Sequence, residues 1–286
     1  MYNVAHGVRP DHEILDHPLH VRHEDGRLTV LKEAAKDQGQ MGEALTLDGV
    51  VNSIDAELVA LGTSGKGPNR GAILRHGRYT LWAFEGGVED MTEEGQSLFV
   101  NTVFYAARHG HSPVLEKRLS GTRDNPYTYL RPGLVETLKS LYLPPELAKQ
   151  DIAGVRAWLI ENRPYLRVNG RKYEVDSLAK AAGIPNHRRA ILEYCIANLR
   201  DKKNVAASLA TLVRYTGRKD LGASADAWQK WYNENRDYLF FSDSEGFCFK
   251  IDEEAKAKRI PVERLRKWSS ENIDYRNPEN SDSAER

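Results

Sequence analysis

An α/β first part followed by a mainly helical α+β region carrying two β-hairpins is the fold this sequence predicts. Three observations predict it. Residues 77–110, GRYTLWAFEGGVEDMTEEGQSLFVNTVFYAARHG, read as a strand, a glycine turn and a capped amphipathic helix. Trp158–Leu166, WLIENRPYL, is answered further on by Trp231–Leu239, WYNENRDYL. After each of these comes a stretch of alternating residues on either side of a turn, as a hairpin requires.

With 286 residues the chain can form two domains, each with its own core. The boundary is expected in the proline-bearing polar segment 113–136, which holds Pro113, Pro126 and Pro132. That divides the chain into a first domain at 1–112, a linker at 113–136, a two-copy repeat domain at 137–272 and a disordered tail at 273–286. Apolar residues make up 40% and charged residues 29%, an ordinary globular balance. Lys+Arg and Asp+Glu are equal at 41 each, so no global field draws the chain to nucleic acid or anionic lipid.

Cys195 and Cys248 are the only cysteines and stand in no metal-type spacing, so they read as buried free thiols, with one disulfide between them the alternative. Five of the nine histidines, His6, His12, His17, His20 and His23, cluster early, but their gaps are irregular and no metal site is predicted. No cofactor is predicted. No run is long and apolar enough to span a membrane, so membrane insertion is not expected. The opening MYNVAHGVRPDHEIL lacks a basic start followed by an apolar run. The expected location is therefore cytoplasmic, or periplasmic or exported if the natural start lies upstream with a signal peptide.

In order along the chain, HPLHV (17–21) reads as a short edge strand, LTVLKEAAK (28–36) as a strand running into a helical turn, and Leu58–Leu61 as a strand. SGKGPNRG (64–71) has glycines, Lys66 and Arg70 but no helix behind it, so it reads as a hairpin connection, not a phosphate loop. AILR and YTLWAF are two strands joined at His76-Gly77-Arg78, and the apolar continuity of YTLWAF suggests a strand covered on both faces. Thr92 is the expected N-cap of the next helix, with Glu93 and Glu94 opposing its dipole. Leu98, Phe99, Thr102, Val103 and Ala106 form the expected core stripe, and Gly110 the C-cap.

The crevice at the end of a strand in an open α/β sheet is the usual ligand position. Here it would be lined by Glu85, Gly86, Gly87, Glu89 and Asp90, with His76 or Asp55 as further candidates. Three carboxylates there disfavour an anion and suit a cation or sugar hydroxyls. The competing reading is that Glu89 and Asp90 solvate a loop and cap the helix.

HPLHV, SIDAE at 53–57, and GRYTLWAF followed by MTEEGQSLFVNTVFYAARHG resemble the closing third of a ThuA-like domain. This is the trehalose-utilisation-type family of the class I glutamine-amidotransferase-like superfamily. Phe99, Asn101, Tyr105 and Ala106 fit the family's last helix. The resemblance covers about residues 15–115 and is closer to a subgroup of large, usually exported bacterial proteins that add a second region. It implies an incomplete ThuA-like sheet and helix and a sugar-related role. The strands that carry the family's nucleophile have no counterpart, and Cys195 and Cys248 fall outside the region, so no amidotransferase triad is implied.

The second region is read as two copies of one unit. VDSLAKAAGIP (175–185) matches IDEEAKAKRIP (251–261), and the second copy has three extra residues in its hairpin. The first hairpin turns at Asn169-Gly170 and the second at SDSEG. Asp176 and Asp252 cap the following helices, and Pro185 and Pro261 separate those helices from the next. Trp158, Trp228, Trp231, Tyr165 and Tyr238 stand at core spacing, with carbohydrate stacking the alternative. LAKAAGIPNHRRAIL has a helix-turn-helix flavour that would put Arg188 and Arg189 on a recognition helix. Zero net charge and Arg259 in place of Gly183 argue against it.

The expected function is a non-catalytic binding or scaffold protein for a protein or glycan partner. The alternatives are a sugar- or ester-active enzyme using the acids of 85–90 and a winged-helix-like DNA binder.

Overall fold

The computed structural model describes residues 4–6, 27–32, 50, 53–64, 67–117, 121–130 and 132–262. The HPLHV segment, His12, His17, His20, His23, the 33–49 stretch, Lys66 and the tail 273–286 lie outside them. The chain is mixed, with helices and small antiparallel sheets, and divides into two compact units, the first ending at Leu115 and the second beginning at Glu116. The segment expected as a linker thus belongs to the second unit from Glu116 onward, and Thr122 and Arg123 within it are buried.

The first unit is a five-stranded sheet in the order β2-β1-β3-β4-β5, where β1 is Val4–His6, β2 Arg27–Thr29, β3 Ala56–Ser64, β4 Gly67–His76 and β5 Tyr79–Trp82. Among the described residues every pairing is antiparallel. The tight turn expected at His76-Gly77-Arg78 joins β4 to β5 as an antiparallel hairpin. The hairpin reading of 64–71 holds, with β3 paired to β4 up to Ser64 and Gly67. Gly77 turns β4 into β5 with φ +55°, and a Cβ there would sit 2.7 Å from the Pro113 carbonyl oxygen. Among the described residues β5 pairs only with β4, so it is an edge strand, and with Tyr79 63% exposed and Thr80, Leu81 and Trp82 half-buried it is not the fully covered strand expected.

Helix α1, Glu93–Arg108, follows a short 3-10 helix over Val88–Asp90. Thr92 caps it as expected, its hydroxyl accepting from the Gly95 N–H at 2.9 Å and donating to the Thr29 carbonyl at 2.5 Å. Gly95 lets the first turn lie against the backbone at Val30, whose carbonyl oxygen would be 2.2 Å from a Cβ. The buried stripe is Gly95, Leu98, Asn101, Thr102 and Tyr105. Val103, expected in the core, is 51% exposed beside Phe104 at 49%. Two apolar faces on one helix made the periodicity ambiguous, and polar Asn101 with small Gly95 disguised the face that is buried. The helix ends at His109 and not in a left-handed glycine at Gly110.

The second unit is helical around two hairpins. Helices α2 (Val135–Tyr142) and α3 (Ile152–Asn162) precede the hairpin β6 (Leu166–Asn169) and β7 (Lys172–Val175). Then come α4 (Ser177–Ala182), α5 (Ala190–Arg200), α6 (Val205–Thr216) and α7 (Ala225–Asn235). A second hairpin, β8 (Leu239–Ser242) and β9 (Cys248–Ile251), leads to α8 (Glu253–Lys258). One apolar cluster joins α5, α6 and α7 around Trp228, Tyr215 and Cys195. Another joins α2, α3 and the first hairpin, and Phe247 from the second hairpin enters it. Trp228 and Trp231 are core residues, and the Trp228 indole donates to the Gly222 carbonyl at 2.8 Å, so they form no stacking row.

The two hairpin segments repeat a set of bonds. Asn162 Nδ2 donates to the Trp158 carbonyl at 2.8 Å, and Asn235 Nδ2 to the Trp231 carbonyl at 2.7 Å. Lys180 Nζ reaches Asn162 Oδ1 at 2.7 Å, and Lys256 Nζ reaches Asn235 Oδ1 at 2.7 Å. Asp176 and Asp252 cap α4 and α8 through the Ala179 and Ala255 N–H groups at 3.0 and 2.9 Å. Both helices end in the left-handed region, at Gly183 with φ +67° and at Arg259 with φ +54°. The turns fall one residue later than expected. Gly170-Arg171 connects Asn169 to Lys172, and Asp243–Phe247 connects Ser242 to Cys248.

Candidate functional site

The acidic turn after β5 is held by its own bonds. Asp90 Oδ2 accepts from the Gly87 N–H at 3.0 Å, which caps the 3-10 helix. The Asp90 carbonyl accepts the Lys32 N–H at 2.8 Å, and the Glu89 carbonyl accepts Lys32 Nζ at 2.6 Å, tying the turn to the chain after β2. Glu85, Gly86 and Glu89 are exposed, and Gly87 and Asp90 are half-buried. His76 is not with them. It closes the opposite end of the β4–β5 hairpin, paired across the ladder with Tyr79.

His76 instead lies beside Asp55, its Nε2 being 3.4 Å from Asp55 Oδ2. Asp55 is buried and accepts from Ser53 Oγ at 2.8 Å and from the Leu115 N–H at 2.5 Å. Burial pushes its carboxyl up, but the bonds from His76, Leu115 and Ser53 outweigh it and hold the group below the usual carboxylate range. At the ladder pair Glu57–Arg75, Glu57 Oε2 accepts from Tyr105 Oη at 2.7 Å, and Arg75 Nε donates to the same Tyr105 oxygen at 2.9 Å. Burial and then the Glu57 carboxylate raise the Tyr105 phenol, so it stays a neutral donor that locks α1 to β3 and β4. The first unit therefore has its charged cluster at the turn of β4 and β5, away from the acidic loop.

The most elaborate polar cluster is in the second unit, at residues the sequence reading passed over. Arg123, 4% exposed, grips Asp243, 8% exposed, with Nε to Oδ2 at 2.7 Å and Nη2 to Oδ1 at 2.6 Å. The Arg123 N–H adds a third bond to Asp243 Oδ2 at 3.1 Å. Its guanidinium carbon lies 5.5 Å from the Phe241 ring centre and 5.6 Å from that of Phe247. Its Nη1 reaches Asn186 Oδ1 at 3.3 Å and His187 Nδ1 at 3.0 Å. Beside it Asp124 takes a two-point grip from Arg163, at 2.6 and 2.7 Å. Asn186 Nδ2 donates to the Leu166 carbonyl at 2.8 Å, and Tyr215 Oη to Asp176 Oδ2 at 2.5 Å. The signal in the sequence was an aromatic, Phe247, at the end of a hairpin turn, where a turn-forming residue is usual.

The helix-turn-helix candidates are placed differently from a groove reader. Arg188 is exposed, but Arg189 donates to the Arg236 carbonyl. The exposed positions of α5 are Ala190, Glu193, Ala197 and Arg200, which carry one charge of each sign, and its other faces are buried. Cys195 and Cys248 are free thiols, and burial, followed by the Asp176 charge, pushes the Cys195 thiol up to about 12. Among the described residues no group of three or more His, Cys, Asp or Glu side chains is arranged to hold a metal. No helix there is long and apolar enough to cross a membrane. The chain matches no family model, no curated protein and no solved structure.

Proposed function

We propose that this chain is a non-catalytic binding or scaffold protein whose second unit is a tandem pair of one helix–hairpin–helix unit. The observation that carries this reading is where the polar side chains are spent. Asp55, Glu57, Tyr105, Arg123 and Asp243 hold backbone and one another, and Asp90 caps its own turn. Groups committed in this way build a rigid body that presents a surface. The matched bonds of Asn162 and Asn235, and of Asp176 and Asp252, support the tandem pairing. The ThuA-like resemblance belongs to the same proposal through α1 and its approach, and the antiparallel sheet weighs against extending it to an amidotransferase-like core.

The alternative of a sugar- or ester-active enzyme rests on the exposed carboxylates of Glu85 and Glu89. A panel of nitrophenyl glycosides and esters, run on the chain and on the Glu85→Gln/Glu89→Gln double variant, separates the two. The scaffold reading expects the same background rate from both proteins. Turnover present in the unaltered chain and lost in the double variant overturns it. For the DNA-binding alternative, a mobility shift on duplex DNA that weakens with salt and disappears on changing Arg188 and Arg189 to Ala is the required result.

A further inference from the structure

We propose that residues 121–130 form an acid-releasable strap, bolted at Arg123 into the space between the second hairpin turn and the loop before α5, and released when His187 is protonated. A guanidinium can only donate hydrogen bonds. The 3.0 Å contact between Arg123 Nη1 and His187 Nδ1 therefore needs an unprotonated Nδ1 that accepts. Adding a proton there sets donor against donor and cation against cation, where Arg123 is already held on its other side. Asp243 grips its other edge through two nitrogens, and Phe241 and Phe247 flank the group.

The charges that face His187 are arranged against a second cation. Arg123, Arg188 and Arg163 oppose its protonation and Asp243 favours it. The other carboxylate of the cluster, Asp124, is gripped by Arg163. Phe241 packs against the ring, with centroids 6.4 Å apart, and Asn186, next in the chain, is itself committed to Arg123 and the Leu166 carbonyl. Burial, and then Arg123, bring the His187 imidazole down to about 4.

The sign follows from linkage. An unfolded histidine titrates near about 6.5, so between there and the folded value the unfolded chain binds a proton that the folded chain refuses. The contribution is complete above the unfolded value and is lost as pH falls toward about 4. The strap opens before the helical core because its anchor, not the α5–α7 cluster, holds the titrating group.

The test is hydrogen exchange on the full chain at pH 7.5 and pH 4.5, corrected for intrinsic rates, with thermal midpoints measured across the same range. Protection of 121–130 is expected to fall by roughly tenfold or more relative to α5 at the lower pH. In His187→Gln the side-chain oxygen still accepts from Arg123 but does not titrate, so the decline of the midpoint between pH 6.5 and 4.5 should be at least halved. Protection of 121–130 and of α5 falling in step, or a decline unchanged in His187→Gln, overturns the proposal. If that variant does not fold, the exchange of the unaltered chain decides alone.

Discussion

The two hairpin segments of the second unit share their short-range bonds and differ at their tips. In the first, the two-residue turn Gly170-Arg171 is exposed, and its neighbours end in solvent. In the second, three extra residues make the turn Asp243–Phe247, and Asp243 and Phe247 are buried at 8% and 2% exposure. The added length carries a carboxylate and an aromatic ring to Arg123, which the short turn has no residues to reach. Two segments with matching short-range bonds thus differ in long-range contacts because their turns differ in length. The longer turn brings strain with it: Phe247 holds φ +57°, a conformation that costs a non-glycine residue about 1–2 kcal/mol. The contacts of its ring with Arg123 and the α2–α3 cluster offset that cost.

The largest way to break the comparison is at the long tip. Arg123→Ala leaves Asp243 buried without its grip and should cost about 3–5 kcal/mol in urea unfolding, the usual penalty for one orphaned partner of a buried pair. Adding Asp243→Ala should return part of that loss, since the uncompensated charge is then gone. A loss below about 1 kcal/mol would mean that the buried turn is held by its apolar contacts alone.

At the shared bonds the comparison predicts equality. Asn162→Ala and Asn235→Ala each remove a bond to a tryptophan carbonyl and a bond from a lysine, and each should cost about 1–2 kcal/mol. Costs differing by more than about 1 kcal/mol would show that the matching bonds sit in unequal surroundings. The smallest effect is at the helix ends. Arg259→Gly should stabilise by about 0.5–1 kcal/mol by relieving a left-handed arginine, and Gly183→Ala should destabilise by a similar amount. Differential scanning calorimetry resolves both, with midpoints moving in opposite directions.

Much of this was legible in residue order. Thr92, Asp176 and Asp252 stand where caps must stand, and the matching Trp, Asn and Asp positions of the two segments are visible as letters. Less legible was which face of α1 is buried. Gly95 and Asn101 lie on that face because the helix start docks on the backbone at Val30, and a backbone contact leaves no apolar signature in the sequence. The acidic residues of 85–90 were visible as a cluster, but their distance from His76 depends on the antiparallel course of β4 and β5.

By itself the sequence determined the elements that close on local chemistry, the capped helices, the two hairpins and the extra length of the second turn. Their hydrogen bonds run between residues a few positions apart, so spacing and residue type are sufficient to specify them. Only the tertiary structure decided that Arg123, a charged residue in a polar proline-bearing segment, is buried. Its partners lie 40 to 120 positions away, at Arg163, Asn186, His187 and Asp243. A buried charge is stable only where those partners converge, and convergence belongs to the folded chain, not to the order of its residues.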